Sequence, residues 1–289
     1  LNYLFGLKLD PRYNGFNRDE YNYSPDLTLT EFVSESNFRD QDAIETSMNL
    51  GYDFEHDRIQ FNALISDGSH PSEVDRDRYL GTDLSTIFKS ELEATDNEQS
   101  NWEVGGNYEH SFANSSRLQF LLISNEEIRN STRERFTTTN NTRDKNQYLQ
   151  SNRRTRERIA QAVYNWGITD GHDLRFGLER AQTILDTELY LGSSSQSGIA
   201  SPSYGNLPPV LSSSNPGSTV EEMRYEGFTV HNWTLNDKMT LESTLLYELS
   251  TIEQTGTAKR SRDFGFLRPK VDYRYDLNSS VQLRATVER

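Results

Sequence analysis

Residues able to do chemistry are few in this chain and far apart. His56, His70, His110, His172 and His231 are scattered over 289 residues, with no His-x-x-x-His pair and no carboxylate cluster at metal-ligand spacing. Solvated histidine is therefore the expectation, and no metal or cofactor is assigned. His110 beside Ser111 is the arrangement to weigh against a hydrolase set in a membrane wall. Adjacent strand residues point to opposite faces, however, so His110 cannot activate Ser111 directly. No Gly-x-Ser-x-Gly, phosphate loop or Gly-x-Gly-x-x-Gly is present, and the absence of cysteine removes thiolate chemistry and disulfides. The chain is expected not to be an enzyme. Its dense basic run, Arg153 to Arg158 (RRTRER), reads as a solvated strand end or loop edge, with an anion or lipopolysaccharide contact as the alternative. A net charge of -14 excludes a general nucleic-acid binder, which needs a basic stripe to displace counterions.

The elements that would position any site repeat at period two. In Tyr225 to Leu249, Met239, Leu241, Leu245, Tyr247 and Leu249 share one face, broken only by Ser243, while Thr240, Glu242, Thr244 and Glu248 share the other. Asn236-Asp237-Lys238 is the turn of this hairpin, and Trp233 stands just before it. Four further hairpins follow the same plan, with turns at Glu55 to Arg58, Ala113 to Ser116, Thr169 to His172 and Asp276 to Ser280. One opening strand and five hairpins give about eleven strands. Inward residues Glu242, Glu248, Asp272 and Glu288, interleaved with Lys270, Arg274 and Arg284, read as a wet lining. The aromatics Tyr52, Phe54, Phe112, Trp166, Trp233 and Tyr275 gather near the turns, where a ring that is apolar on one side and polar on the other suits a membrane boundary.

Composition agrees with a strand-built membrane wall. The sequence is 33% hydrophobic with plentiful Tyr and Phe and a mean hydropathy of -0.81. That balance suits a wide barrel in which only alternate residues face lipid. No run approaches the roughly eighteen apolar residues of a membrane helix. Between the tight turns lie polar segments, Asp10 to Asp42, Asp67 to Leu84, Asn125 to Gln147, Leu191 to Thr219 and Glu253 to Arg260, expected as long loops on the opposite end. Ser85 to Ala94 is expected to be strand. In the Ser/Gly/Pro-rich segment Leu191 to Thr219, Tyr204 and Leu207 are the candidate ligand contacts; a plain solvated connection is the competing reading. The chain opens and stops inside alternating runs, which suggests an excerpt of a longer protein. The fold expected is all-β, an antiparallel transmembrane barrel wall spanning residues 1–289 as one segment. A soluble β-sandwich is the rival fold, one that would bury Leu241, Leu245, Phe120, Phe176 and Tyr164 between two sheets.

Residues 227–248, GFTVHNWTLNDKMTLESTLLYE, resemble the strand-turn-strand unit of TonB-dependent outer-membrane receptors: an aromatic-rich strand ending in Trp, a short polar turn, then alternating Leu leading to Tyr-Glu. Residues 264–289, FGFLRPKVDYRYDLNSSVQLRATVER, are similar to the next such unit. The resemblance implies a barrel of about 22 strands, plugged by a separate N-terminal domain and driven by a TonB-type energy-coupling protein. It also implies a place in the bacterial outer membrane among lipid and lipopolysaccharide, and uptake of a scarce small-molecule or glycan ligand such as an iron chelate, cobalamin or a glycan. A passive porin and a barrel-embedded hydrolase are the alternative functions. Short turns would then face the periplasm and long loops the cell exterior.

Overall fold

A computed structural model describes residues 1–210, 217–256 and 258–289. Among the described residues the alternating runs form thirteen strands in one antiparallel sheet. They are β1 (Asn2–Leu9), β2 (Arg12–Tyr23), β3 (Leu29–Asp53), β4 (Asp57–Ser69), β5 (Ser72–Leu80), β6 (Asp83–Ser111), β7 (Arg117–Thr139), β8 (Thr142–Thr169), β9 (His172–Ser193), β10 (Gly217–Asn236), β11 (Met239–Gly256), β12 (Arg260–Asn278) and β13 (Val281–Glu288). Pairing follows the order β1-β3-β4-β6-β7-β8-β9-β10-β11-β12-β13, with β2 on β3 and β5 between β3 and β6.

The two strands off this path are continuations. Leu9 pairs with Ile44 and Arg12 with Gln41, so β1 and β2 run end to end along β3. On the other side of β3, Ser69 pairs with Asp42 and Ser72 with Arg39, so β4 and β5 do the same. The breaks fall at Asp10-Pro11 and His70-Pro71, where proline has no N–H to give to a ladder. Pairing persists across both: Asp10 N–H donates to the Ala43 carbonyl at 2.9 Å and Asp40 N–H to the Pro71 carbonyl at 3.0 Å. The sheet therefore has eleven lines of strand, the number the hairpins suggest.

At one end the strands reverse through two to five residues, at 54–56, 112–116, 170–171, 237–238 and 279–280. The other end differs from expectation. Most of the polar segments expected as loops are strand. Residues 12–23 and 29–41 form β2 and the outer half of β3; 72–80 form β5; 125–139 and 142–147 complete the β7–β8 hairpin, which reverses at Asn140-Asn141, both left-handed. Ser85 to Ala94 lies in β6, as expected. Among the described residues, 194–210 after β9 are the long non-strand stretch, and the expectation for Leu211 to Pro216 lies outside the described residues. The sequence hides these extensions because polar and charged residues occupy both faces and interrupt the few apolar ones, such as Val33 and Val74, so no continuous apolar stripe marks period two. From Leu122 to Thr139 at about 3.3 Å per residue, β7 continues about 55 Å beyond its last outward leucine.

Registers fix which residues share a face. Phe61, Gly106, Leu122, Ala160, Arg180, Tyr225 and Leu249 pair in succession across seven strands. Around this row lie Ile65, Trp102, Phe120, Tyr164, Phe176, Leu178, Leu245, Tyr247 and Val271. No second sheet covers them: Phe120, Phe176 and Leu245 are 43%, 38% and 51% exposed, which excludes the sandwich. The buried strand side chains Val33, Glu35, Asn37, Val74, Val163, Ala181, Glu248 and Ser250 all lie on the opposite, polar face. A single sheet shields side chains only on the side toward which it curls, so this is an arc of antiparallel wall with its apolar face outward.

Beyond the apolar band the polar face carries a chain of ion pairs. Arg76 Nε donates to Glu35 at 2.7 Å, Arg78 bridges Glu31 at 3.0 Å and Glu91 at 3.4 Å, and Lys89 reaches Glu91 at 2.6 Å. Burial alone would push the Glu91 carboxyl up, but the Lys89 ammonium and Arg78 guanidinium outweigh it and hold the acid below its ordinary 4.5. A depressed carboxylate contributes stability above the unfolded value and loses it as pH falls through the folded one. Amide exchange in 31–39 and 72–80, corrected for intrinsic rate, is therefore expected to be flat from neutral pH down to about 4.5 and to accelerate below it. Glu91→Gln should abolish the step.

Candidate transport face and its boundary

The polar face is the candidate functional surface. Within the span of the apolar band its side chains are tied sideways, strand to strand: Asn107 Nδ2 donates to Gln60 at 3.3 Å, Gln119 Nε2 to Glu109 at 2.7 Å, Gln161 Nε2 to Glu179 at 2.9 Å and Thr286 Oγ1 to Asp272 at 2.5 Å. Glu179, Glu226 and Glu248 stand side by side on β9, β10 and β11. Arg224 donates to Glu179 at 2.7 Å and Arg268 pairs with Glu248 at 3.1 Å. Phe228 lies among these charges, its ring over Gly177, where a Cβ would come within 2.1 Å of it, and under the Arg175 guanidinium at 5.5 Å. Glu242, Glu248, Asp272, Glu288, Lys270, Arg274 and Arg284 all fall on this face, as the alternation requires. Cross-strand pairs of opposite charge or of hydrogen-bonding groups each add a few tenths to about 1 kcal/mol to the pairing of their strands.

The aromatics picked out near the turns come together at the turn end. By register Tyr52, Trp166, Trp233 and Tyr275 share the apolar face. Phe54 packs edge-on to Tyr52 at 4.5 Å, and Phe112 contacts His110 at 4.4 Å and Tyr164 at 6.1 Å. His110, His172 and His231 pack with these rings or with each other and are not merely solvated, whereas His56 is exposed as expected. His172 stacks on Trp233 and on His231, each at 5.3 Å, and its Nδ1 shares a hydrogen bond with His231 Nε2 at 3.1 Å. His110 Nδ1 bonds Asp57 at 2.7 Å, and the Tyr108 hydroxyl donates to the same oxygen at 2.6 Å. Periodicity could have found these clusters, since His110, His172 and His231 all carry the parity of the apolar face. Ser111 is of the other parity, and its N–H donates to the His56 carbonyl at 2.8 Å. No group of three metal-ligating side chains occurs among the described residues.

Tyr204 and Leu207, the candidate ligand contacts, lie in the connection after β9. A 3-10 turn at Pro202–Tyr204 folds back against the outward side of the β8–β9 extension. Gly192 bridges Pro209, Tyr204 packs on Tyr190 at 5.7 Å, and Leu207 is buried. Lys145 Nζ clamps the segment by donating to the Gly205 carbonyl at 3.2 Å while bound to Glu134 at 2.6 Å. Arg153 to Arg158 lie in the middle of β8, not at a strand end or loop edge. Arg154 pairs with Glu126 at 2.7 Å, and Arg156 pairs with Asp186.

The fold and these surfaces define an arc of barrel wall, polar within and apolar without. Among solved structures the chain is similar to the P. aeruginosa receptor FpvA bound to heterologous pyoverdines, at 10% identity and TM-score 0.49 over 96% of this chain and 41% of that one. It is similar to the unliganded ferric citrate transporter FecA, at 11% identity and TM-score 0.48 over 98% and 44%. It is also similar to BauA, the ferric preacinetobactin receptor of Acinetobacter baumannii, at 9% identity and TM-score 0.44 over 99% and 47%. These are TonB-dependent outer-membrane receptors, and the chain spans less than half the length of each. No family model and no curated protein matches the chain.

Gly205 holds the folded-back segment in place. Its φ is +65°, and a Cβ there would meet the Tyr148 ring at 2.5 Å. Gly205→Ala should cost about 1–3 kcal/mol locally and expose 194–210 to limited proteolysis. Gly198→Ala, whose Cβ meets Pro208 at an ordinary 3.6 Å, should cut at the wild-type rate.

Proposed function

We propose that this chain is part of the wall of an outer-membrane receptor that takes up a scarce ligand by energy-coupled transport, through a barrel completed and plugged by other parts of the protein. The observation that carries the reading is the division of one sheet into an exposed apolar face and a hydrogen-bonded, charged one. Nine residues, Leu241 to Leu249, run between turn-end aromatics and polar extension, matching the roughly 9–11 residues with which a tilted strand crosses a bilayer. The turn-end belt of Tyr52, Phe54, Phe112, Trp166, Trp233 and Tyr275 suits the periplasmic interface, and the long hairpins suit the cell exterior. Strands that leave the membrane by tens of ångströms favour capture of a ligand outside the cell over passive diffusion. Of the two candidate contacts, Tyr204, held on the outward side of those hairpins, is the one a ligand could meet, and the buried Leu207 anchors the segment that carries it. The ligand class, by resemblance, is an iron chelate, cobalamin or a glycan; the coupling partner is a TonB-type protein.

Uptake by cells carrying the full-length protein, measured with a labelled panel of these ligands, should stop when the energy-coupling protein is deleted. Uptake that continues unchanged would make the protein a passive channel. An epitope tag at 195–197 should be labelled on sealed cells, and one at Asp170-Gly171 only after permeabilisation; the reverse pattern would invert the topology. Leu245→Lys should destabilise the inserted protein by about 2–4 kcal/mol, whereas Thr244→Lys, on the polar face, should be near neutral. Urea unfolding from vesicles distinguishes the two, and equal effects would mean the apolar face does not meet lipid.

A further inference from the structure

Two adjoining depressions on the apolar face between β6 and β11 share Leu122, Ala160 and Arg180 and together form a furrow. The first is lined by Gly106, Val104, Phe61 and Arg158, the second by Ala162, Gly227, Phe120, Leu178, Tyr225, Tyr247 and Leu249. The sheet does not require the two glycines. A Cβ at Gly106 would meet nothing nearer than 3.9 Å and one at Gly227 nothing nearer than 3.4 Å, and neither has positive φ. A lipid-facing wall gains apolar contact from larger side chains, so an unfilled furrow at positions that would accept them is an unused opportunity unless something else fills it.

The upper end of the furrow is closed by Arg158 and Arg180. Arg180 pairs with Ala160, and Arg158 with Gln182 and Ser124. The two arginines are thus diagonal neighbours on one face, roughly 7–8 Å apart at their backbones. Arg180 is flanked by Ala160 and Tyr225, so it projects from the edge of the apolar band. Higher on the same face the protein neutralises its cations: Arg156 pairs with Asp186, and Arg154 with Glu126 at 2.7 Å. Arg158 and Arg180 are exposed and make no ion pair or side-chain hydrogen bond among the described residues. Two cations left unneutralised at the edge of hydrocarbon, with apolar space directly below, match an amphiphile whose anionic head sits above its chains.

We propose that this furrow binds a phosphate-bearing, multiply acylated lipid of the surrounding leaflet, with its phosphate between Arg158 and Arg180 and its chains along Ala160, Ala162 and Gly227. The proposal rests on the reading that this face meets lipid. Charge complementarity selects the occupant: a neutral lipid would leave both arginines unanswered, and a free phosphate would leave the furrow empty.

The full-length protein, purified from envelopes and delipidated in detergent, is titrated with bisphosphorylated lipid A or its fully dephosphorylated form and read by native mass spectrometry. The wild type should retain the phosphorylated lipid preferentially. Arg158→Gln combined with Arg180→Gln should weaken that binding by roughly tenfold or more and leave the dephosphorylated lipid unaffected. Ala160→Phe, which keeps both charges and fills the furrow, should weaken both lipids, and Arg154→Gln should bind as wild type. Inorganic phosphate in excess should not compete. Wild-type binding by the double variant, or displacement of the lipid by inorganic phosphate, would overturn the site. Heat-modifiable migration on gels is checked first, because a wild type that is not an inserted barrel would take the membrane reading down together with this one.

Discussion

One continuous antiparallel ladder carries everything else in this protein. Side chains alternate across a strand, so each backbone pairing also decides which residues share a face. Eleven lines of strand keep that parity in step from Leu9 to Val287. A slip of one residue at any pair would bring Glu226 or Arg224 among the leucines and carry Leu178 or Tyr225 inward. The apolar face and the ladder therefore support each other. The turns set the register, the register assembles the band, and the cost of moving charge into that band holds the register.

The same ladder runs well beyond the apolar band, where no hydrophobic face rewards it. Cross-strand pairing of charges takes over there. Glu31, Arg78, Glu91 and Lys89 form a connected strip, with Arg76 and Glu35 beside it. Individually such pairs contribute little at a surface, but a network that shares partners and shields Glu35 and Val33 does more than isolated pairs would. Pro11 and Pro71 flank β3 on both sides near residues 40–42, where the apolar band gives way to this strip. Each takes one donor out of its ladder, so the wall is more easily bent at that height than above or below it.

At the opposite end, tight reversals bring aromatic rings and histidines into contact. The stack of His231, His172 and Trp233 and the Tyr108-Asp57-His110 cluster both sit on the apolar face where it ends. A ring with a polar edge can satisfy that edge toward the turn while its body stays against the apolar band. The turn end is thus finished by amphipathic groups, whereas the far end dissolves into paired charges.

Which residues face which way was legible in the sequence. Period two in Leu241 to Leu249, or in Ile59 to Ile65, is set by backbone geometry alone, and tight turns such as Asp170-Gly171 mark the reversals with residues that tolerate them. Those two signals sufficed for the all-β class, the eleven lines of strand and the division into a polar and an apolar face. Three things only the tertiary structure decided. β2, β5 and the outer parts of β3, β7 and β8 look like loops in the sequence because polar and charged residues line both faces and leave no hydrophobic period, and only cross-strand partners distant in the chain make them strands. Tyr204 and Leu207 gave no sign of folding back on Tyr148 and Tyr190, because that contact depends on where Lys145 and the left-handed Gly205 come to lie. RRTRER gave its charge but not its partners. Pairing of β7, β8 and β9 neutralises Arg154 and Arg156 and leaves Arg158 facing out beside Arg180, since a side chain's neighbours in a sheet come from other strands and not from its own.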